Sequence, residues 1–240
     1  MTRRQITYAA SALLAIAISG CAATQTWDGD PFPTTPVAAQ HYEAATQHLA
    51  MRRYELAAEE FSRSIELEPT ALIPHVRLGL ARFGEGQFRE AAASFQYACE
   101  EVGGPGTYQG GPFCVLQATA LMRGNEVDQQ QARQLLEEWS ASNVMMVGST
   151  AVYSGSGRLP GWWKEMAKYL LGDVSEQDIM DVNHDDVGYF AHLFVGLDNA
   201  RRGNSVEADS CLREVVRHIG AGTWRCDLAK IELRRIEEAG

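Results

Sequence analysis

AAQHYEAATQHLAMRRYELAAEEFSRSIELEPTA (residues 38–71) and LIPHVRLGLARFGEGQFREAAASFQYACEEVGGP (residues 72–105) are one pattern written twice, with a period of 34 residues. Ala45 falls on Gly79, Tyr54 on Phe88, Ala57 on Ala91, Phe61 on Phe95 and Ser64 on Ala98. The small residues let two helices cross closely, and the large apolar residue at 61 and 95 fills the space beside the crossing. Gly86 stands where the chain must turn between helices, whereas the first copy has Arg52 there. Pro69 ends the second helix of the first copy, and Gly103 takes its place in the second. Each unit buries its apolar face only against a neighbour, so two copies predict more helical hairpins downstream.

Those hairpins can be traced. Gly196, Gly203, Ala208, Leu212 and Val215 fit the same positions in a unit spanning 189–219, with Ser205 where an aromatic residue stood before. Residues 112–142 read as a degenerate pair, with Leu116, Leu121, Leu135, Leu136 and Trp139 apolar. A Gly- and Ser-rich stretch from 147 leads into helices ending near 182, with Ser175 and Asp178 spaced as a helix start. Residues 223–238 place Trp224, Leu228, Ile231 and Ile236 among Arg, Lys and Glu, the pattern of a capping helix.

The doubled pattern resembles the tetratricopeptide repeat. The resemblance implies an all-α fold over 37–240, in which stacked antiparallel hairpins form a right-handed superhelix (an α-solenoid) closed by a C-terminal capping helix. The last third also resembles, loosely, tetratricopeptide lipoproteins of the new-lipoprotein-I type, which act mostly as adaptors without chemistry. In such repeats the first helix of each pair lines a concave binding face. Carried over by position, that face comprises Tyr42, Thr46, Leu49, Ile73, Val76, Leu80, Phe83, Phe190, Leu193 and Leu197. It lacks the Lys, Arg and Asn of a carboxylate clamp, and suits an apolar or helical segment of a partner, with about half of its residues buried between hairpins.

The N-terminus sets the address. Arg3 and Arg4 precede an apolar run from Ile6 to Ile18, and Ile18-Ser19-Gly20-Cys21 follows. That tetrapeptide resembles the lipobox of bacterial lipoproteins, which implies removal of residues 1–20 and acylation of Cys21. Each buried CH2 of an acyl chain contributes about 0.8 kcal/mol, so several chains hold firmly. Ala22, rather than Asp, after the cysteine implies the outer membrane, facing the periplasm. Residues 21–36, with Trp27, Pro31, Pro33 and Pro36, read as a tether between lipid and fold.

The chain has a formal charge of -10. Removing Arg3 and Arg4 leaves 19 basic against 31 acidic residues, or -12 for the mature chain, which excludes a phosphate-backbone partner. Of five cysteines, Cys21 is spent on lipid. Cys99 and Cys114 lie 15 apart, as do Cys211 and Cys226, and an oxidising compartment favours two structural disulfides over free thiols or a metal site.

Little points to chemistry. No GxSxG elbow, HExxH pair or phosphate-binding glycine loop is present, and Glu100–Glu101 and Glu137–Glu138 are helix neighbours that do not face one another. His184 with Asp181, Asp185 and Asp186 reads as a solvated turn, not a metal site, and no cofactor is expected. His41, His75 and His192 share one repeat position and read as packing residues. The expected function is an outer-membrane-anchored scaffold binding another envelope protein, with no enzyme activity and with a homodimer possible. A pilotin or assembly factor for a pilus or secretion machine is the second reading, and a cell-wall hydrolase a distant third.

Overall fold

The turn between the two helices of a repeat is built three times to nearly the same dihedral angles. Arg53, Gln87 and Asn204 precede their helices at φ/ψ of -85/67, -82/69 and -81/70. Just before them stand Arg52 at φ 61, Gly86 at φ 82 and Gly203 at φ 85, all left-handed. Each turn closes with the same backbone bonds, in which Arg53 N–H donates to His48 C=O, Gln87 to Arg82 and Asn204 to Asn199, all at 2.9 Å. This six-to-one closure satisfies carbonyls that a helix end leaves open. Arg52 alone carries a side chain in the left-handed conformation, which costs an L-residue about 1–2 kcal/mol. Arg52→Gly is therefore expected to raise stability by about 1 kcal/mol, read as a rise in the denaturation midpoint at unchanged m-value.

The computed structural model describes residues 32–104, 110–141, 159–181 and 185–239. Among them are eleven helices and no strands. They are α1 (Pro36–Ala50), α2 (Tyr54–Leu67), α3 (Leu72–Glu85), α4 (Phe88–Glu101), α5 (Gly111–Leu121), α6 (Glu126–Ala141), α7 (Leu159–Leu171), α8 (Glu176–Met180), α9 (Asp185–Arg202), α10 (Ser205–His218) and α11 (Trp224–Ala239). No helix among the described residues is long and apolar enough to cross a membrane. The leader, Cys21 and the tether as far as residue 31 lie outside the described residues, as do most of the 147–160 stretch and the side chains at 184–186.

Each helix packs on the next in chain order, in the manner of an α-solenoid. The crossings use the expected residues. A Cβ on Gly79 of α3 would sit 2.5 Å from the Phe95 ring of α4, and one on Gly196 of α9 would sit 2.8 Å from Leu212 of α10. Ala45 and Phe61, at the matching positions of α1 and α2, are fully buried. Gly84 lies just as close beneath the Tyr54 ring. Two starts further along are capped by side chains. Asn125 and Asp128 bond reciprocally before α6, and Ser175 and Asp178 form a capping box before α8.

The array also turns back on itself. Every residue of α5 is buried, so this helix has no solvent face and forms the centre of the fold. It is covered by α4, α6, α7 and α9. Beyond α10 the chain enters α11, which packs against α9 and returns to α3, about 150 residues earlier in the sequence. The inner helices thus close on one another, and α1 with α2 stand at the open end of the stack.

Candidate functional site

The inner face of α3 was expected to line a groove, and α11 occupies it. The two helices run parallel, because Arg77 near the start of α3 pairs with Asp227 and the carbonyls of Phe83 and Gly84 near its end accept from Arg235. Arg77 also donates to the Gly222 carbonyl in the turn before α11. From the end of α5, Arg123 reaches Glu232 of α11 at 2.7 Å and the Leu197 carbonyl of α9 at 3.1 Å. Glu232 takes a second cation, Arg235, at 3.3 Å.

Phe83 lies beside two of these charges. The Arg123 guanidinium lies 5.4 Å from its ring centroid and that of Arg235 4.8 Å. Arg235 also lies 5.1 Å from the Phe88 ring. Cations over aromatic faces gain from the ring quadrupole, most of all where water is excluded. Burial lowers the Arg235 pKa, with Glu232 acting against it. Arg77 is 5% exposed and Glu232 2%, so both depend on their partners.

The ten inner-face positions therefore divide into two sets. Leu49, Val76, Leu80, Phe83, Phe190, Leu193 and Leu197 are buried and belong to the core. Tyr42, Thr46 and Ile73 are partly open. Tyr42 is touched by the end of the tether, since the Phe32 ring meets it edge-on at 5.9 Å. The groove, expected to keep about half of these residues open, is closed at seven of the ten positions: α11, expected as an end cap, packs on α10 and also reaches back to α3. Its apolar side is Cys226, Leu228, Ala229, Ile231 and Leu233, all buried, and leaving these in water would cost far more than exposing an end.

The three equivalent histidines are not brought together. His41 Nδ1 lies 2.6 Å from Glu60, whose carboxyl that bond holds below the usual range. His75 stacks on Tyr97 at 3.8 Å and bonds the Pro69 carbonyl, and burial lowers its pKa. Burial does the same at His192. Among the described residues no group of three His, Cys, Asp or Glu side chains is placed to hold a metal ion.

No family model, curated protein or solved structure matches this chain.

The cysteines follow the expectation at one pair. Cys99 and Cys114 are bonded, with Cα atoms 5.5 Å apart, and staple α4 to α5. A closed loop of this size gives about 3 kcal/mol of stabilisation from chain entropy. Cys211 and Cys226 are free thiols, which corrects the expectation of a second disulfide. Equal spacing does not give equal facing. Cys211 turns toward α9, where its Cβ would lie 3.2 Å from a Cβ on Gly196, while Cys226 is buried in the main core. Burial, with Glu176 and Glu207 adding to it, pushes the Cys211 thiol up to about 11.

The sign follows directly. The folded state favours the neutral thiol, so that contribution to stability is full below the ordinary value of 9.0 and is lost as pH rises toward 11. At pH 8 the thiolate fraction falls about a hundredfold, so Cys211 should alkylate about a hundred times more slowly than an unburied cysteine. Mass spectrometry of native protein is expected to find one disulfide and two slow thiols; rapid double labelling would count against this placement.

Proposed function

We propose that the chain is a tetratricopeptide-type lipoprotein of the bacterial envelope, held at the outer membrane through Cys21 and facing the periplasm, where it holds another envelope protein. The observation that carries this reading is the turn built three times over, at 52, 86 and 203, with a small residue beneath a large one at each crossing. Such units are spacers and platforms, because their stability comes from neighbours and leaves the outer side chains free to vary. The Cys99–Cys114 disulfide supports an oxidising compartment.

With α11 along the inner face, the partner is taken at the inner-face positions left partly open, Tyr42, Thr46 and Ile73. Cross-linked envelopes from cells carrying a tagged chain should yield one envelope protein reproducibly. Thr46→Arg with Ile73→Glu should lower its recovery while helicity stays unchanged; unaltered recovery would remove these residues from the contact.

The closure of the inner face also favours a second reading, an assembly factor such as a pilotin, because a filled array suits a rigid structural part. Recovery of pilus or secretion subunits in the same experiment would select it. Digestion of purified peptidoglycan by the isolated mature chain would overturn both.

A further inference from the structure

The end of the array formed by α1 and α2 differs from the rest of the surface. Of the seven large hydrophobic residues exposed among the described residues, five lie between 32 and 67: Phe32, Val37, Met51, Leu56 and Leu67. Only Val127 and Val206 lie elsewhere. In a chain with a formal charge of -10, α1 carries a single formally charged side chain, Glu43. The outermost helix is thus the least charged surface of an acidic protein, and it exposes apolar groups.

Three of the five gather where the chain arrives from its N-terminus. The backbone N–H and hydroxyl groups of Thr34 and Thr35 all donate to the Glu68 carboxylate, at 2.8–3.3 Å. The Thr35 backbone N–H, then the Thr34 hydroxyl, hold Glu68 below the usual carboxylate range. This clasp joins the start of α1 to the end of α2 and sets Phe32, Val37 and Leu67, each about half exposed, on one end of the hairpin. Ten residues lie between Cys21 and Phe32, and an extended chain gains about 3.3–3.6 Å per step, so over eleven steps this end lies at most about 40 Å from a lipid on Cys21.

We propose that this end of the first hairpin, with Phe32, Val37 and Leu67, rests against the lipid surface that holds Cys21, so that the array stands on α1 and α2 and presents α9 to α11 away from the membrane. The proposal rests on the lipid anchor. Apolar side chains that contact a bilayer interface gain by leaving water, and a short tether raises their local concentration at that surface. The low charge of α1 removes the repulsion that an anionic surface would exert on the rest of the protein.

The test uses the lipid-bearing full chain reconstituted into phosphatidylethanolamine vesicles, with and without brominated acyl chains. Flotation comes first: wild type floating and Cys21→Ser not floating establishes the anchor, and failure of wild type to float removes the anchor and the proposal with it. Tryptophan is then introduced singly by Leu67→Trp, Val127→Trp and Val206→Trp. Brominated lipid should quench most of the emission gained at 67 and little of that gained at 127 or 206. Should Leu67→Trp lose helicity, Val37→Trp repeats the measurement on the other helix. Floating protein with equal quenching at all sites, or a dimer that Leu67→Glu dissociates, overturns the proposal and leaves the anchor standing.

Discussion

Leu80→Glu combined with Phe83→Ala is expected to abolish cooperative folding. On an open groove the same pair would remove only partner binding, with the helical signal unchanged. Here Leu80 is fully buried and Phe83 is 1% exposed, with Arg235 of α11 over the Phe83 ring. Phe→Ala at a buried site costs about 3–5 kcal/mol. A carboxyl forced into apolar surroundings costs several more or must stay protonated. Together they consume most of the roughly 5–15 kcal/mol that a domain has. Circular dichroism with a thermal scan decides: a variant that melts near wild type would show that Leu80 and Phe83 are not core residues in solution.

Glu232→Ala is the second large expected effect, and it acts through charge. Glu232 answers Arg123 at 2.7 Å and Arg235 at 3.3 Å, and its side chain is almost fully enclosed. Removing it leaves two cations without their shared carboxylate, both beside Phe83. Breaking a buried pair by deleting one partner costs about 3–5 kcal/mol, and a domain of this size loses about 2–4 °C of melting temperature per kcal/mol. A fall of about 6–20 °C is therefore expected. Arg123→Met with Glu232→Met should recover much of it, because apolar groups of similar volume need no partner. A melting point within 2 °C of wild type for Glu232→Ala alone would mean that water reaches the pair.

The repeat was legible because its demands are local. A small residue at 45, 79 and 196, a large one at 61, 95 and 212, and a turn at 52, 86 and 203 are each needed within one hairpin, so each leaves its mark at a fixed interval. Arg52 departs from the glycine of the other two turns, and the backbone there nevertheless takes the glycine conformation, because the hairpin's packing sets the turn. The closure by α11 was not legible in the same way. Its contacts join residues about 150 apart, and Arg77, Arg123 and Arg235 each look like ordinary helix-surface arginines until both helices are in place. One sign was present. The stretch 111–121 has no polar face, which belongs to a helix surrounded on every side, and that in turn requires the chain beyond it to wrap around. The second cysteine pair misled for a related reason, since spacing fixes how far apart two residues are along the chain but not which neighbours they turn toward.

The return of α11 to α3 also governs how the protein comes into being. The chain is made from its N-terminus, and the inner side of the second repeat waits for a helix about 150 residues further along. Until then Phe83 lacks the Arg235 side chain that lies over its ring, and the early hairpins present the sticky surface on which incomplete chains associate. A chain stopped before Trp224 would carry nearly the whole repeat pattern yet lack the helix that reaches back to α3, so aggregation or proteolysis of the early hairpins is decided by whether these sixteen residues arrive.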